Sequence, residues 1–168
     1  MAITKVDFLL FCGVGVLVDS YSRVVRFGET DAGGVVYFAE LLGFCHEAYE
    51  AALARAGVDV RAFFSAAGVV EEVNGEAFGV AVPVVRAEAD FFRPMFCGDR
   101  ITISLVPQVL SSDSFEVVYE VFSQKEQTMA KALTRHVSIR VDSRRRCPLP
   151  ICLINWLTLQ QCENYSPN

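Results

Sequence analysis

The 168-residue chain contains no G-x-S-x-G elbow, and this removes the usual serine-hydrolase arrangement. It has only two histidines, His46 and His136, so no H-x-x-x-H metal pair can be assembled. The segment CGVGVLV carries G-x-G but lacks the third glycine, and a Walker lysine is missing, which argues against nucleotide-fold enzymes. The six cysteines, at 12, 45, 97, 147, 152 and 162, form no CxxC and no zinc-like spacing. They read as reduced, mostly buried thiols in a reducing, cytoplasmic compartment. The net charge is only -5 and no basic stripe alternates with aromatics, so neither nucleic acid nor an anionic membrane is an expected partner. The apolar run Phe8 to Val18 falls short of the roughly 20 residues that span a bilayer. It is preceded by Lys5 and Asp7, whose charges cancel, and no A-x-A-like site follows. An extra strand or a loose extension is expected there, with a single domain at 21–158 and a tail at 159–168.

What is present is apolar patterning: 52% of the residues are hydrophobic and 21% charged, which suits a folded domain with internal or inter-subunit burial. Residues 21–27 read as a strand, and GETDAGG supplies turn residues after it. From Val35, the positions Phe38, Leu41, Leu42, Cys45, Tyr49, Ala52 and Leu53 recur at three- and four-residue spacing. The spacing predicts a long helix stopped by Arg55 and Gly57. Period-two alternation then dominates, at 85–91, 101–105, 115–122 and 137–141, with 68–73 bringing the count to about six half-buried strands. Pro83 requires an edge or a bulge, and Cys97-Gly98-Asp99 and Ser111-Ser112-Asp113 divide the later strands. A short helix is expected near 153–157. Small residues at Gly79, Ala81, Ala87 and Ala89 would let the helix approach a curved sheet. The class is α+β.

The remaining chemistry is carboxylate-based. Asp31 precedes two glycines at the expected entrance to the long helix, where unpaired N–H groups and the helix dipole favour an anion. Such amides can stabilise the oxyanion of a thioester transition state, while the carboxylate attacks the carbonyl or activates water. An isolated Asp there reads more readily as a helix N-cap than as a catalytic group, and only the longer motif reverses that reading.

The longer segment RFGETDAGGVVYFAELLGFCHEAYE resembles the signature of the 4-hydroxybenzoyl-CoA thioesterase branch of hotdog enzymes. Together with DFFRPMFCGDR and ALTRHVSI, it is most similar to the 1,4-dihydroxy-2-naphthoyl-CoA thioesterases of phylloquinone biosynthesis, over about 21–157. The resemblance implies an antiparallel sheet of five or six strands wrapped around one central helix. It also implies a dimer with a continuous sheet, commonly a homotetramer, with active sites at the dimer interface. The family's catalytic aspartate falls on Asp31 and its carbonyl-polarising amide on Phe38, with Gly34, Val35 and Tyr37 shaping the pocket. No cofactor or metal is implied, because coenzyme A belongs to the substrate.

A second hotdog branch uses a carboxylate on the central helix, a place taken here by Glu47, which reads otherwise as a solvated or interface glutamate. His46 reads as packed or hydrogen-bonded. For the coenzyme A phosphates, Arg144, Arg145 and Arg146 form the only basic run. In the 4-hydroxybenzoyl-CoA relatives an arginine near the position of Arg145 helps hold the nucleotide; the bland alternative is a solvated turn. Where those relatives carry a basic cluster this chain has Ser111-Ser112-Asp113, so Arg93 and Arg100 are alternatives for part of the grip. The expected reaction is hydrolysis of dihydroxynaphthoyl-CoA. A broad acyl-CoA or acyl-carrier-protein thioesterase and a non-catalytic acyl-binding module are the alternatives.

Overall fold

Leu41, Phe44, Cys45, Ala48, Tyr49, Ala52 and Leu53 form the buried stripe of one helix, α1 (Glu40–Arg55), around which the rest of the chain is organised in a computed structural model that describes residues 19–162. The expected element at 8–18 and the tail beyond 162 lie outside the described residues. The helix stops as expected. Gly57 takes φ +82° and Val58 N–H reaches back to the Leu53 carbonyl (3.0 Å), closing the last turn. Its start is a correction: Val35 and Val36 form isolated antiparallel bridges to Phe96 and Thr30, and the helix begins at Glu40. Val36 N–H donates to the Met95 carbonyl (2.8 Å) and Tyr37 N–H to the Glu29 carbonyl (2.9 Å), bonds that a helical backbone there would forgo.

The strands are β1 (Asp19–Val24), β2 (Val69–Val73), β3 (Glu76–Ala81), β4 (Val84–Phe91), β5 (Arg100–Ser111), β6 (Ser114–Ser123), β7 (Thr128–Val137) and β8 (Ile139–Arg140). A 3-10 turn at Phe27–Glu29, a short α2 (Val60–Phe63) and α3 (Ile151–Cys162) complete the order. Five strands form an antiparallel sheet in the order β1-β5-β6-β7-β4, and β2-β3-β8 form a second antiparallel sheet. Ile101, Ile103 and Leu105 on β5, Phe115, Val117, Tyr119 and Val121 on β6, and Ala130 and Ala132 on β7 are buried on the face that meets α1. Among the expected small residues, Ala89 packs on that core, whereas Ala87 is exposed. Gly79 serves a different contact, since a Cβ there would lie 2.1 Å from the Ala67 carbonyl oxygen.

Pro83 divides β3 from β4, and the register slips between Val84 and Arg86, the irregularity its missing N–H requires. The alternation at 137–141 is not one strand, because its partner changes at Ser138: β7 pairs with β4 and β6, β8 with β3. β4 is a second correction. It alternates in sequence but is exposed along almost its whole length, because it is the sheet edge and nothing among the described residues covers it. At the opposite edge β1 pairs with Arg100 to Leu105 of β5. The expected short C-terminal helix is longer, running from Ile151 to Cys162, with Leu153, Trp156 and Leu157 buried. Cys45 and Cys147 are buried, Cys152 partly so, and Cys97 exposed; all four are free. No helix among the described residues is long and apolar enough to cross a membrane.

Candidate active site

Asp31 sits eight residues before the helix N-cap, Ala39, in a narrow hairpin-like loop, so it is neither at the helix entrance nor an N-cap. Thr30 bridges Val36, and Asp31 N–H donates to the Val35 carbonyl (2.8 Å). Gly34, at φ +77°, lets the chain reverse within this loop. Gly33 N–H donates to Asp31 Oδ1 (2.7 Å), fixing the carboxylate, and a Cβ on Gly33 would crowd that oxygen at 3.1 Å. The other side of the loop is held to the segment after β4 by the Val35–Phe96 bridge and the bond from Val36 to Met95.

Between the loop and that segment lies a cleft of about 390 Å3. Asp31, Val35, Val36 and Phe38 form one wall; Phe91, Phe92, Arg93, Pro94 and Met95 form the other. Phe38 precedes α1, and its N–H, unlike those of Val36, Tyr37 and Glu40, has no acceptor among the described residues. The cleft therefore has the Asp31 carboxyl group and Phe38 on one wall, and the unpaired Phe38 N–H lies just before the positive end of the central helix. Positive dipole and Asp31 are brought together by the loop, not by adjacency along a helix.

The remaining predicted site residues divide. Val35, Phe38 and Arg93 share the cleft with Asp31; Gly34 and Tyr37 shape the loop without lining it. Tyr37 is half exposed, its ring centroid 4.6 Å from that of Phe38. Arg93 Nη1 donates to the Thr128 carbonyl (2.6 Å) and also lines an adjoining hollow with Phe92, Thr128 and Lys131. Arg100 borders a different surface hollow. Glu47 faces Arg23, with Arg23 Nη1 donating to Glu47 Oε1 at 2.7 Å, and does not line the cleft. Arg144, Arg145 and Arg146 occupy the tight loop after β8; Arg146 lines a separate cleft with Phe78 and Arg140 and lies 3.5 Å from Asp113. That places Asp113 of the divergent Ser111-Ser112-Asp113 turn against the basic run.

His46 is a half-buried partner of Glu50 (3.2 Å) and rests on Phe64. His136 is buried, hydrogen-bonded through Nε2 to Thr134 Oγ1 (2.8 Å) and stacked on Phe115. Neither histidine lines the cleft. Phe91, Phe92, Pro94 and Met95 were not singled out from the sequence as site residues. Their signal was two adjacent phenylalanines and a proline closing a period-two strand, a break that places large apolar groups where the strand no longer buries them.

The profile of the thioesterase-like superfamily matches residues 25–157. The 1,4-dihydroxy-2-naphthoyl-CoA hydrolase of Synechococcus elongatus is 46% identical over 139 residues, covering 83% of this chain and 94% of that protein. That of Crocosphaera subtropica is 42% identical over 144 residues, covering 84% and 97%. Among solved structures, a 1,4-dihydroxy-2-naphthoyl-CoA thioesterase from Synechocystis superposes with a TM-score of 0.74 at 33% identity, over 84% of this chain and 96% of that one. Sheet wrapped on central helix, profile match and relatives that align along nearly their whole length agree: the chain belongs to the thioesterase-like superfamily and has its hotdog fold.

Proposed function

We propose that this protein hydrolyses 1,4-dihydroxy-2-naphthoyl-CoA to 1,4-dihydroxy-2-naphthoate and CoA in phylloquinone biosynthesis, in the cytoplasm, with Asp31 as nucleophile or general base. The observation that carries the reading is the shared cleft of Asp31 and the unpaired Phe38 N–H, walled by Phe38, Phe91 and Phe92. A thioester carbonyl directed at the Phe38 amide would gain a donor where negative charge develops, and the dipole of α1 acts in the same sense. The aromatic walls suit a flat aryl group better than a flexible acyl chain. The adjoining hollow with Arg93 and Lys131 gives the anionic arm of coenzyme A a cationic path out of the cleft.

The exposed β4 edge supports a dimer, with the tetramer as a further step. Antiparallel pairing of two β4 edges would bring the Phe91 end of one copy towards the Val84 end of the other. Since β8 and the Arg144 to Arg146 loop lie beside β3, just ahead of β4, the same loop of a second copy would then approach this cleft. That is how the basic run would serve coenzyme A although it lies outside the cleft of its own chain.

The test is steady-state hydrolysis of aryl-CoA and aliphatic acyl-CoA substrates by the wild type and Asp31→Asn. The amide keeps an oxygen for Gly33 N–H, so the loop geometry is retained while the charge is lost. A fall in kcat of at least a hundredfold is expected, with dihydroxynaphthoyl-CoA the best substrate. Full activity in Asp31→Asn overturns the assignment of Asp31, and aliphatic preference overturns the aryl reading. No hydrolysis of any thioester by the wild type would indicate an acyl-binding module.

A further inference from the structure

Arg23, on the edge strand β1, has a side chain only 7% exposed. Its guanidinium lies 3.8 Å above the Phe44 ring of α1, its Nη1 donates to Glu47 Oε1 of α1 at 2.7 Å, and its Nη2 donates to Glu29 Oε1 in the 3-10 turn. Its Nε is buried without an acceptor. One side chain thus ties β1, the central helix and the root of the Asp31 loop. Glu29 is the coupling point. Its second carboxylate oxygen accepts from Arg26 N–H (2.7 Å), and its backbone carbonyl accepts from Tyr37 N–H (2.9 Å), the bond that closes the loop two residues before Asp31. On the opposite side, the loop is held by backbone bonds to residues 95 and 96.

A partly buried ion pair is a poor source of net stability, because desolvation of both partners offsets the attraction. What it does well is impose one geometry, and a planar guanidinium gripping two carboxylates does so more strictly than an ammonium. A strand–helix contact that needed only cohesion would be served as well by an apolar side chain over Phe44. A misplacement of about 1 Å at a reacting group is enough to cost about a hundredfold in rate.

We infer that Arg23 is a positioning residue for hydrolysis: through Glu29 it holds the Asp31 loop in register with the N-terminus of α1, so that Asp31 and the Phe38 amide face the same carbonyl. This rests on the proposed role of Asp31.

The experiment compares wild type, Asp31→Asn, Arg23→Met, Arg23→Lys, Glu29→Gln and the Arg23→Met/Glu29→Gln pair. The readouts are kcat and KM per folded molecule and hydrogen exchange of the amides of residues 30–37. Arg23→Met, which keeps an unbranched apolar side chain beside α1 but removes the guanidinium, is expected to lower kcat at least tenfold with KM within threefold. It should also speed exchange of the Asp31 and Tyr37 amides at least tenfold while β5 and β6 stay protected. Glu29→Gln should reproduce both effects, the pair should be no worse than either single variant, and Arg23→Lys should fall between Arg23→Met and wild type. Unchanged kcat and loop exchange in both Arg23→Met and Glu29→Gln, with only a lower Tm, would reduce Arg23 to a structural tie and overturn the inference. Should Arg23→Met not fold, Arg23→Lys and Glu29→Gln decide it by the same readouts. Full activity in Asp31→Asn removes the role of Asp31 and the inference with it. Inactive Asp31→Asn beside fully active Arg23→Met overturns the inference alone.

Discussion

Protonation of His136 should set how the protein's stability depends on pH between about 6.5 and 4. The ring is 2% exposed, stacked on Phe115 (centroids 4.7 Å apart, planes 6° apart) and near Tyr49 (5.0 Å). Its pKa is lowered from 6.5 to about 4, chiefly by burial and also by repulsion from His46, with the Val82 backbone offsetting part of the shift. The folded value lies below the unfolded one, so above pH 6.5 the imidazole is neutral in both states and imposes no penalty. As pH falls below 6.5, the unfolded chain takes up a proton that the folded chain refuses. Stability then declines by up to about 1.4 kcal/mol per pH unit until the pH approaches 4, roughly 3 kcal/mol in all. From pH 7 to 5 the loss is about 2 kcal/mol, or about 4 to 8 °C in Tm for a domain of this size. Asp142, held down to about 2 by Arg140 and Ser143, titrates in a lower window, losing its contribution only as pH falls below its ordinary 3.8. The assay is urea unfolding of wild type and His136→Gln at pH 7, 6 and 5. The substitution is expected to lower stability at pH 7 and to flatten the decline towards pH 5. An equal pH slope in the two proteins would refute the reasoning, whatever their absolute stabilities.

Two further measurements probe packing. Gly68 has φ +69° and, like Gly79, has no room for a Cβ: the added carbon would lie 2.1 Å from the Val80 carbonyl oxygen at Gly68 and 2.1 Å from that of Ala67 at Gly79. Gly68→Ala and Gly79→Ala should each destabilise by about 2 kcal/mol or more in urea unfolding, and a neutral result would show that β2 and β3 move apart easily. Brief alkylation of the native protein followed by peptide mass mapping should label Cys97 well ahead of Cys45, whose buried thiol is pushed up to about 12. Comparable labelling of the two would contradict the packing of α1 on the sheet.

What the sequence revealed best was local. The end of α1 was legible because Arg55 and Gly57 act within one turn, and the Pro83 irregularity because a missing N–H acts at its own position. The burial of Cys45, Tyr49, Ala52 and Leu53 followed from helical spacing that tertiary contacts reinforced. By contrast, β4 alternates like a half-buried strand yet lies exposed at the sheet edge, since alternation records what a strand is built to meet and not whether one chain supplies it. The change of partner at Ser138 was equally invisible, because apolar alternation continues through it while the hydrogen bonds pass from one sheet to the other.

The Asp31 segment shows the same limit at the site itself. Val35 and Phe38 fall in phase with the stripe of α1, and periodicity alone extends the helix over them. Bonds to Met95 and Phe96, some sixty residues on, make the backbone extended there instead, and local spacing carries no trace of them. The consequence is chemical. A helix beginning at Val35 would have paired the Phe38 N–H with the Gly34 carbonyl and put Gly34, not Asp31, at its N-cap. Beginning it at Glu40 leaves the Phe38 N–H without an acceptor among the described residues, keeps Asp31 on a loop, and puts both residues on one wall of the cleft that Phe91, Phe92 and Arg93 close from the other side. Helical periodicity could not have placed the two residues in this way: the bonds of Val35 and Val36 to the segment at 95–96 set Asp31 and Phe38 on the same wall of the cleft.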